Sequence, residues 1–352
     1  MNLEMITERI QPLDDVSIEQ AAKRWLTVGK PLFSLGALED AIIRMAGMKR
    51  SVQYGLLKKG LILMCADNGV VAEGVTQAGQ EVTAIVADNF TKGDSSVCHM
   101  CNVAGTDVFP VDIGMAVDVP SVPGGRHKVA YGTRNFVREP AMTQEEVARA
   151  IQVGIDVVED LKNRGYDILA TGEMGIGNTT TSSAVASVLL QKDVELMTGK
   201  GAGLDSEGLK RKISAIRRGI ELHKPNPMDP VDVLMKVGGL DIAGLTGVFL
   251  GGAIYGVPIV IDGFISSTAA LCAVRIAEAA KEYMLPSHVS KEPGGQILLD
   301  ALGFSPFITC GMFLGEGTGA VALFPLLDMA LRVYTKMGTF DEIHVEPYQI
   351  MQ

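Results

Sequence analysis

Four short apolar runs, each closing on an acid beside a glycine, constrain this chain more than any other feature. Residues 61–66 lead into Asp67-Asn68-Gly69 and residues 107–111 into Asp112-Ile113-Gly114. Residues 167–171 lead into Gly172-Glu173-Met174-Gly175, and residues 257–261 into Asp262-Gly263. Alternating with longer helical stretches such as 181–190 and 266–280, such runs describe parallel strands joined by helices. Open sheets of this kind bind ligands beyond the carboxyl ends of their strands, so these acids and glycines gather on one rim. A single Asp-Gly after a strand is ordinary turn chemistry; four in the same position are harder to assign to turns alone.

Residues 172–180, Gly-Glu-Met-Gly-Ile-Gly-Asn-Thr-Thr, carry the most specific signal. Three glycines precede a helix start bearing Asn178, Thr179 and Thr180, where backbone N–H groups and the helix dipole favour an anion and the hydroxyls add hydrogen bonds. No Lys follows the last glycine and the glycine spacing is not that of a dinucleotide fingerprint, so a monophosphate or a ribose fits better than a triphosphate. Residues 199–203, Gly-Lys-Gly-Ala-Gly, lead into a helix carrying Lys210 and Lys212; this reads either as a second phosphate loop or as a flexible basic surface loop. Residues 314–320, Leu-Gly-Glu-Gly-Thr-Gly-Ala, hold one acid, Glu316, between glycines in an apolar run. Apolar surroundings raise a carboxyl's pKa and suit it to proton abstraction near neutrality. A turn with its acid facing solvent is the alternative.

The rest of the chain narrows the field. A net charge of -10 over 352 residues, with no Lys or Arg run, argues against a nucleic-acid surface and leaves a small molecule as partner. Five cysteines form no disulfide framework and fit a reducing cytoplasm, and the N-terminal residues show no signal peptide. Cys98-His-Met-Cys101 has metal-like spacing without a second pair, so buried helical thiols are expected there. His288 sits in a polar break, where a ligand role and a capping role are both open. The five histidines show no nucleophile–His–acid spacing.

Residues 242–261 are an uncharged run long enough to span a bilayer, with Gly247 and Gly251 in GxxxG spacing. Gly251-Gly252 and Pro258 divide it, Asp241 and Asp262 bracket it, and no basic flank orients it, so the reading is a buried helix, a glycine turn and a buried strand. The first sixty residues read as helices: Ser17 to Gln20 as a capping box, residues 34–50 with helical apolar spacing, and Trp25 as a packing anchor. Residues 325–337 read as a last helix with Pro325 at its first position, returning to pack on that bundle.

Residues 172–180, 314–320, 132–135 (Gly-Thr-Arg-Asn), 140–142 (Pro-Ala-Met) and Asp262-Gly263 together resemble the nicotinate-nucleotide:dimethylbenzimidazole phosphoribosyltransferase family of cobalamin lower-ligand assembly, in the same order from about residue 15 to 345. The resemblance implies a Rossmann-like parallel sheet flanked by helices (61–324) and a small helical domain from both chain ends (1–60 with 325–352). It also implies a homodimer, or a heterodimer with a homologous subunit as in the phenol and p-cresol-activating branch, and no metal or cofactor. The implied reaction moves 5-phosphoribosyl from nicotinate mononucleotide to an aromatic base with inversion, and releases nicotinate. Glu316 is then the general base. Glu173, Gly175, Ile176, Gly177, Asn178, Thr179, Thr180, Gly201, Ala202, Gly203, Lys212, Asp262 and Ser290 hold the nucleotide. Asn68, Thr76, Gln77, Ala78, Gln80, Phe313 and Leu314 face the acceptor.

Departures from the family pattern fall on the acceptor side. Asn68 stands where relatives commonly carry His, Ala78 where they carry Tyr, and Phe313 where an Arg is often found. Losing an aromatic ring removes a stacking wall and Gln77 adds a hydrogen-bonding group, which implies an acceptor shifted to another benzimidazole, a purine or a phenol. A non-catalytic, nucleotide-binding homologue supporting a partner subunit is the alternative function.

Overall fold

The structure, a computed structural model, describes residues 3–122 and 125–349. Among them, five parallel strands form one sheet: β1 (Lys59–Ala66), β2 (Thr106–Gly114), β3 (Ile168–Met174), β4 (Ile259–Ile261) and β5 (Met284–Pro286), in the order β2-β1-β3-β4-β5. β1 and β3 are buried along their whole length, because helices cover both faces and a parallel sheet needs such crossovers. In this order the chain winds outward in both directions from between β1 and β3, which places the ligand crevice of a doubly wound sheet at the carboxyl ends of those two strands.

The expected strands are present, with shifted ends. β2 runs on through Asp112 to Gly114, and β3 includes Glu173 and Met174, because pairing with β1 continues to Cys65–Met174 and carries the acid into the sheet. β5 gives too short a run to announce itself in sequence. The apolar stretch 242–261 is a helix, Leu240–Tyr255, followed by β4; among the described residues no helix is long and apolar enough to cross a membrane. Its turn lies at Gly256, in the left-handed region at φ +67°, and not at Gly251-Gly252, which continue the helix. The GxxxG spacing serves helix packing. Gly247 lies against the Ile151 carbonyl and Gly154 of helix Gln144–Asn163 against the Gly244 carbonyl, so closely that a Cβ at either glycine would overlap the partner backbone.

Helices from the two chain ends pack together. The Trp25 and Tyr334 rings lie 5.1 Å apart, Val28 bridges Thr339, and the Phe340 N–H donates to the Thr27 carbonyl at 2.9 Å. Lys30 and Glu39 form a buried ion pair at 2.6 Å beneath Trp25. Two local expectations are corrected. Helix Asp15–Thr27 starts on Asp14, whose carboxylate accepts the Ser17 N–H at 3.1 Å, so Ser17 sits in the first turn and does not cap. The last helix runs Thr318–Lys336 with Pro325 inside it, because its start is capped by a side chain at the end of β4.

Candidate active site

A cavity of about 420 Å³ opens at the carboxyl ends of β3 and β4, within the size range of small-molecule sites. Its polar end is built around Lys212. This side chain is 1% exposed, and its Nζ donates to Thr179 Oγ1 (2.8 Å) and the Gly199 carbonyl (3.1 Å). Burial pushes the ammonium down to about 8, and Glu292 opposes that shift. Thr179 lies in the first turn of helix Asn178–Leu190, which starts on Gly177 at φ +93°. The two glycine loops read from sequence thus meet at one amine.

The other end carries carboxyls. Glu173 is the penultimate residue of β3, and the Asn178 side-chain amide bridges its Oε2 to Asp241 Oδ2, the latter at 3.0 Å. Asp241 is fully buried at the start of helix Leu240–Tyr255. Burial raises both carboxyls above the ordinary range; the Asp241 charge raises Glu173 further and the Asp67 charge raises Asp241, while Asn178, donating to both, holds them partly down.

Glu316 stands beside Glu173, in a turn where Gly315, Glu316 and Gly317 all have left-handed φ (+86°, +57°, +81°). Such a run in a non-glycine residue needs outside support, and Asp262 supplies it. Asp262 Oδ1 accepts the N–H groups of Gly319 (2.8 Å) and Ala320 (3.1 Å), and Oδ2 that of Gly317 (3.3 Å). The end of β4 therefore caps helix Thr318–Lys336 across more than fifty residues of sequence. Gly172 lets the turn lie on β3: an ideal Cβ there would stand 2.9 Å from the Glu316 backbone. The Glu316 carboxyl accepts the Val97 N–H in the first turn of helix Ser96–Ala104. Its Oε2 is buried with no hydrogen-bond partner among the described residues. Burial raises its pKa, the Val97 hydrogen bond lowers it, and Asp262 raises it further.

Of the residues read from sequence, Glu173, Gly175, Ile176, Asn178, Thr179, Gly201, Ala202, Asp262, Ser290, Phe313, Leu314 and Glu316 line this cavity. Gly177, Thr180, Gly203 and Lys212 do not line it. The 68–80 segment lies outside it. Asn68 is fully buried and donates to the Ile176 carbonyl (3.3 Å), Thr76 donates to Ala78 O (2.6 Å), Gln77 donates to Gly203 O, and Gln80 donates to Asn68 O (3.1 Å). These residues bolt the β1 turn to the glycine loops. The 132–135 motif likewise buttresses that turn, with the Thr133 hydroxyl accepting the Gly69 N–H (3.1 Å), while Ala141 and Met142 donate to Lys236 and Met235. Among the described residues His288 caps no helix; it follows β5 at the cavity wall and packs on Gly319, where a Cβ would overlap its ring. Cys98 and Cys101 are buried thiols of helix Ser96–Ala104.

Sequence reading missed Asp241, Glu292, Val82 and Val86. The two valines sit four apart on helix Glu81–Lys92 and give the cavity an apolar wall with Phe313, Leu314 and Ile176. Their i,i+4 spacing was the available signal.

A doubly wound sheet with a carboxyl-rich cavity at the carboxyl ends of β3 and β4 has the form of an α/β enzyme acting on a small molecule. A phosphoribosyltransferase family model matches residues 10–345. The chain belongs to the nicotinate-nucleotide–dimethylbenzimidazole phosphoribosyltransferase family. It is 48% identical to the enzyme of that name from Acetivibrio thermocellus, over 96% of this chain and 95% of the relative. It is 45% identical to the one from Ruminiclostridium cellulolyticum over the full length of both. The crystal structure of CobT from Thermus thermophilus superposes with a TM-score of 0.89 at 37% identity, over 95% of this chain and 100% of that one.

Proposed function

We propose that this chain transfers the 5-phosphoribosyl group of nicotinate mononucleotide to a planar aromatic base, dimethylbenzimidazole in the first instance, with Glu316 as general base. The carrying observation is the Glu316 carboxyl: a buried Oε2 with no hydrogen-bond partner among the described residues, on a left-handed turn lining the same cavity as Thr179 and Gly201. Lys212, the Thr179 hydroxyl and the Gly201 N–H take the 5′-phosphate, which anchors the ribose with C1 toward the acid end. The bond from C1 to the pyridinium nitrogen breaks, and nicotinate leaves with a neutral ring nitrogen. The acceptor's unprotonated ring nitrogen bonds C1 from the opposite face, and the proton on its other ring nitrogen passes to Glu316. Positive charge gathers on the ribose in between, where the Glu316 carboxylate opposes it before taking the proton. A base with a raised pKa holds the proton better, and such catalysis contributes about 10²–10⁴-fold.

Val82, Val86, Phe313 and Leu314 offer the acceptor an apolar slot, Phe313 and Leu314 being 56% and 54% exposed at its mouth. Since Ala78 and Gln77 lie outside the cavity, their difference from relatives bears on loop packing more than on a stacking wall, and the benzimidazole reading is preferred to a purine or a phenol. Asn68, Thr76 and Gln80 act on the acceptor only through that loop. The same reading takes residues 1–60 and 325–352 as a small helical unit docked on a catalytic unit, 61–324; residues 1–2 and 350–352 fall outside the described residues. It also takes the working form as a dimer in the cytoplasm.

Product analysis by chromatography and mass spectrometry, after incubating the chain with nicotinate mononucleotide and a mixture of benzimidazoles, purines and phenols, tests the reading. One dominant α-ribotide of dimethylbenzimidazole is expected. A dominant phenol or purine product overturns the acceptor; binding of nucleotide without any product, even with a homologous subunit added, makes the chain a non-catalytic homologue.

A further inference from the structure

His288 and Ser290 line the cavity, and the reaction above leaves both side chains unused. They are buried, at 4% and 8% exposure, and their backbone is pinned: His288 bridges Ile308, and the Val289 N–H donates to the Ile308 carbonyl at 3.1 Å. The fully buried Ser287 hydroxyl makes one hydrogen bond among the described residues, to His288 Nδ1 at 3.1 Å. A hydroxyl donating to Nδ1 leaves the ring proton on Nε2, and Nε2 has no partner among the described residues. Ser290 Oγ accepts the Glu292 N–H at 3.3 Å, so its own proton is also unclaimed. The two donors flank one spot. A Cβ built on Gly263 would stand 3.4 Å from the Cε1–Nε2 edge of the imidazole and 3.6 Å from Ser290 Cβ, and Gly263 lines the cavity with them. Gly263 is the floor of a small seat with an N–H and an O–H on its walls.

We propose that this seat holds the carboxylate of the nicotinate ring, and that His288 separates nicotinate from nicotinamide nucleotides. The inference rests on the phosphoribosyl reading of the cavity. Displacement with inversion puts the leaving ring across C1 from the acceptor. Val82 and Val86, on the helix that follows β1, wall the acceptor's side; Gly263 and His288 follow β4 and β5, toward the opposite edge of the sheet. The leaving ring therefore lies toward the seat. A carboxylate offers an oxygen to each donor there, whereas a carboxamide offers one oxygen and sets its N–H₂ against the other donor, leaving buried polar groups unpaired. Asp262, next to Gly263, does not claim these donors, because its carboxylate already accepts three N–H groups at the start of helix Thr318–Lys336.

Titration calorimetry of the full chain with nicotinate mononucleotide, nicotinamide mononucleotide and inorganic phosphate tests this in wild type, His288→Leu, His288→Gln and Ser290→Ala. Leu fills the space of the ring without a donor, and Gln returns an N–H near the place of Nε2. His288→Leu should bind nicotinate mononucleotide at least roughly ten-fold more weakly, the worth of one hydrogen bond to a charged group. It should bind the nicotinamide nucleotide and phosphate as wild type does, and His288→Gln should regain most of the difference. Ser290→Ala removes only a hydroxyl; it should narrow the same preference, and it carries the test if His288→Leu fails to fold. Equal losses for both nucleotides would put His288 on the phosphate or the ribose and overturn the proposal, as would an unchanged preference in both variants. If wild type binds neither nucleotide, or if Lys212→Met leaves the binding of both intact, the phosphoribosyl reading fails and this inference fails with it.

Discussion

Replacing Asp262 by Asn separates a clamp from a ligand. The carboxylate holds three N–H groups, at 2.8, 3.1 and 3.3 Å, at the start of helix Thr318–Lys336. Asn keeps one acceptor oxygen for Gly319 and Ala320 and turns its amide N–H₂ toward the Gly317 N–H. The loss is one charge-assisted hydrogen bond, about 2 kcal/mol, and the favourable charge at the helix start, about 1 kcal/mol. Roughly 3 kcal/mol corresponds to a melting temperature about 5 °C lower for a chain of this size. Because Gly317 is the last of three left-handed residues, the freed energy relaxes the turn and swings Glu316 away from the acceptor. The account predicts a kcat reduced by roughly 100-fold, the size of a misplaced catalytic group, with the KM for nicotinate mononucleotide little changed. Steady-state kinetics and thermal melting on the same preparation read both. Unchanged melting and kcat with a KM raised more than about ten-fold would make Asp262 a nucleotide ligand, as the sequence pattern implied, and refute the clamp.

Three further outcomes follow from the site. Lys212→Met should raise the KM for nicotinate mononucleotide by roughly 10–100-fold, the worth of a buried charged donor, with a smaller effect on kcat. In wild type the Lys212 ammonium is depressed to about 8, so it is charged below that pH and neutral above it; nucleotide affinity should weaken as pH rises through about 8, and Lys212→Met should lack that limb in a pH series of binding constants. Gly319→Ala drives a Cβ into the His288 ring and should cost about 1–3 kcal/mol of stability with a loss of kcat, seen by melting and turnover together.

The sheet was legible because parallel strands buried on both faces leave apolar runs, and because acids and glycines concentrate at their carboxyl ends. β5 was not legible: three residues, Met284 to Pro286, carry no periodicity. The site was legible where its chemistry is local. Gly177 through Thr180 announce a helix start, and Gly315 to Gly317 announce a left-handed turn. What spacing could not show is tertiary. Asp262 caps a helix that begins at Thr318, and with that cap invisible in the sequence Pro325 reads as the helix start. Asp241 looked like the edge of an apolar run because its partner, Asn178, is 63 residues away. Gln77 and Ala78 depart from the family pattern at positions that contact a loop and not the cavity, a location that a sequence difference alone does not reveal.

The most direct test of the central claim is the single-turnover rate of phosphoribosyl transfer to dimethylbenzimidazole by Glu316→Gln, measured beside its affinity for nicotinate mononucleotide. The amide preserves the side chain's shape and its bond to Val97 but cannot take a proton. The account predicts transfer slowed by at least about 100-fold with mononucleotide affinity retained. Transfer at the wild-type rate would show that the acceptor's proton leaves by another route and that Glu316 is not the base.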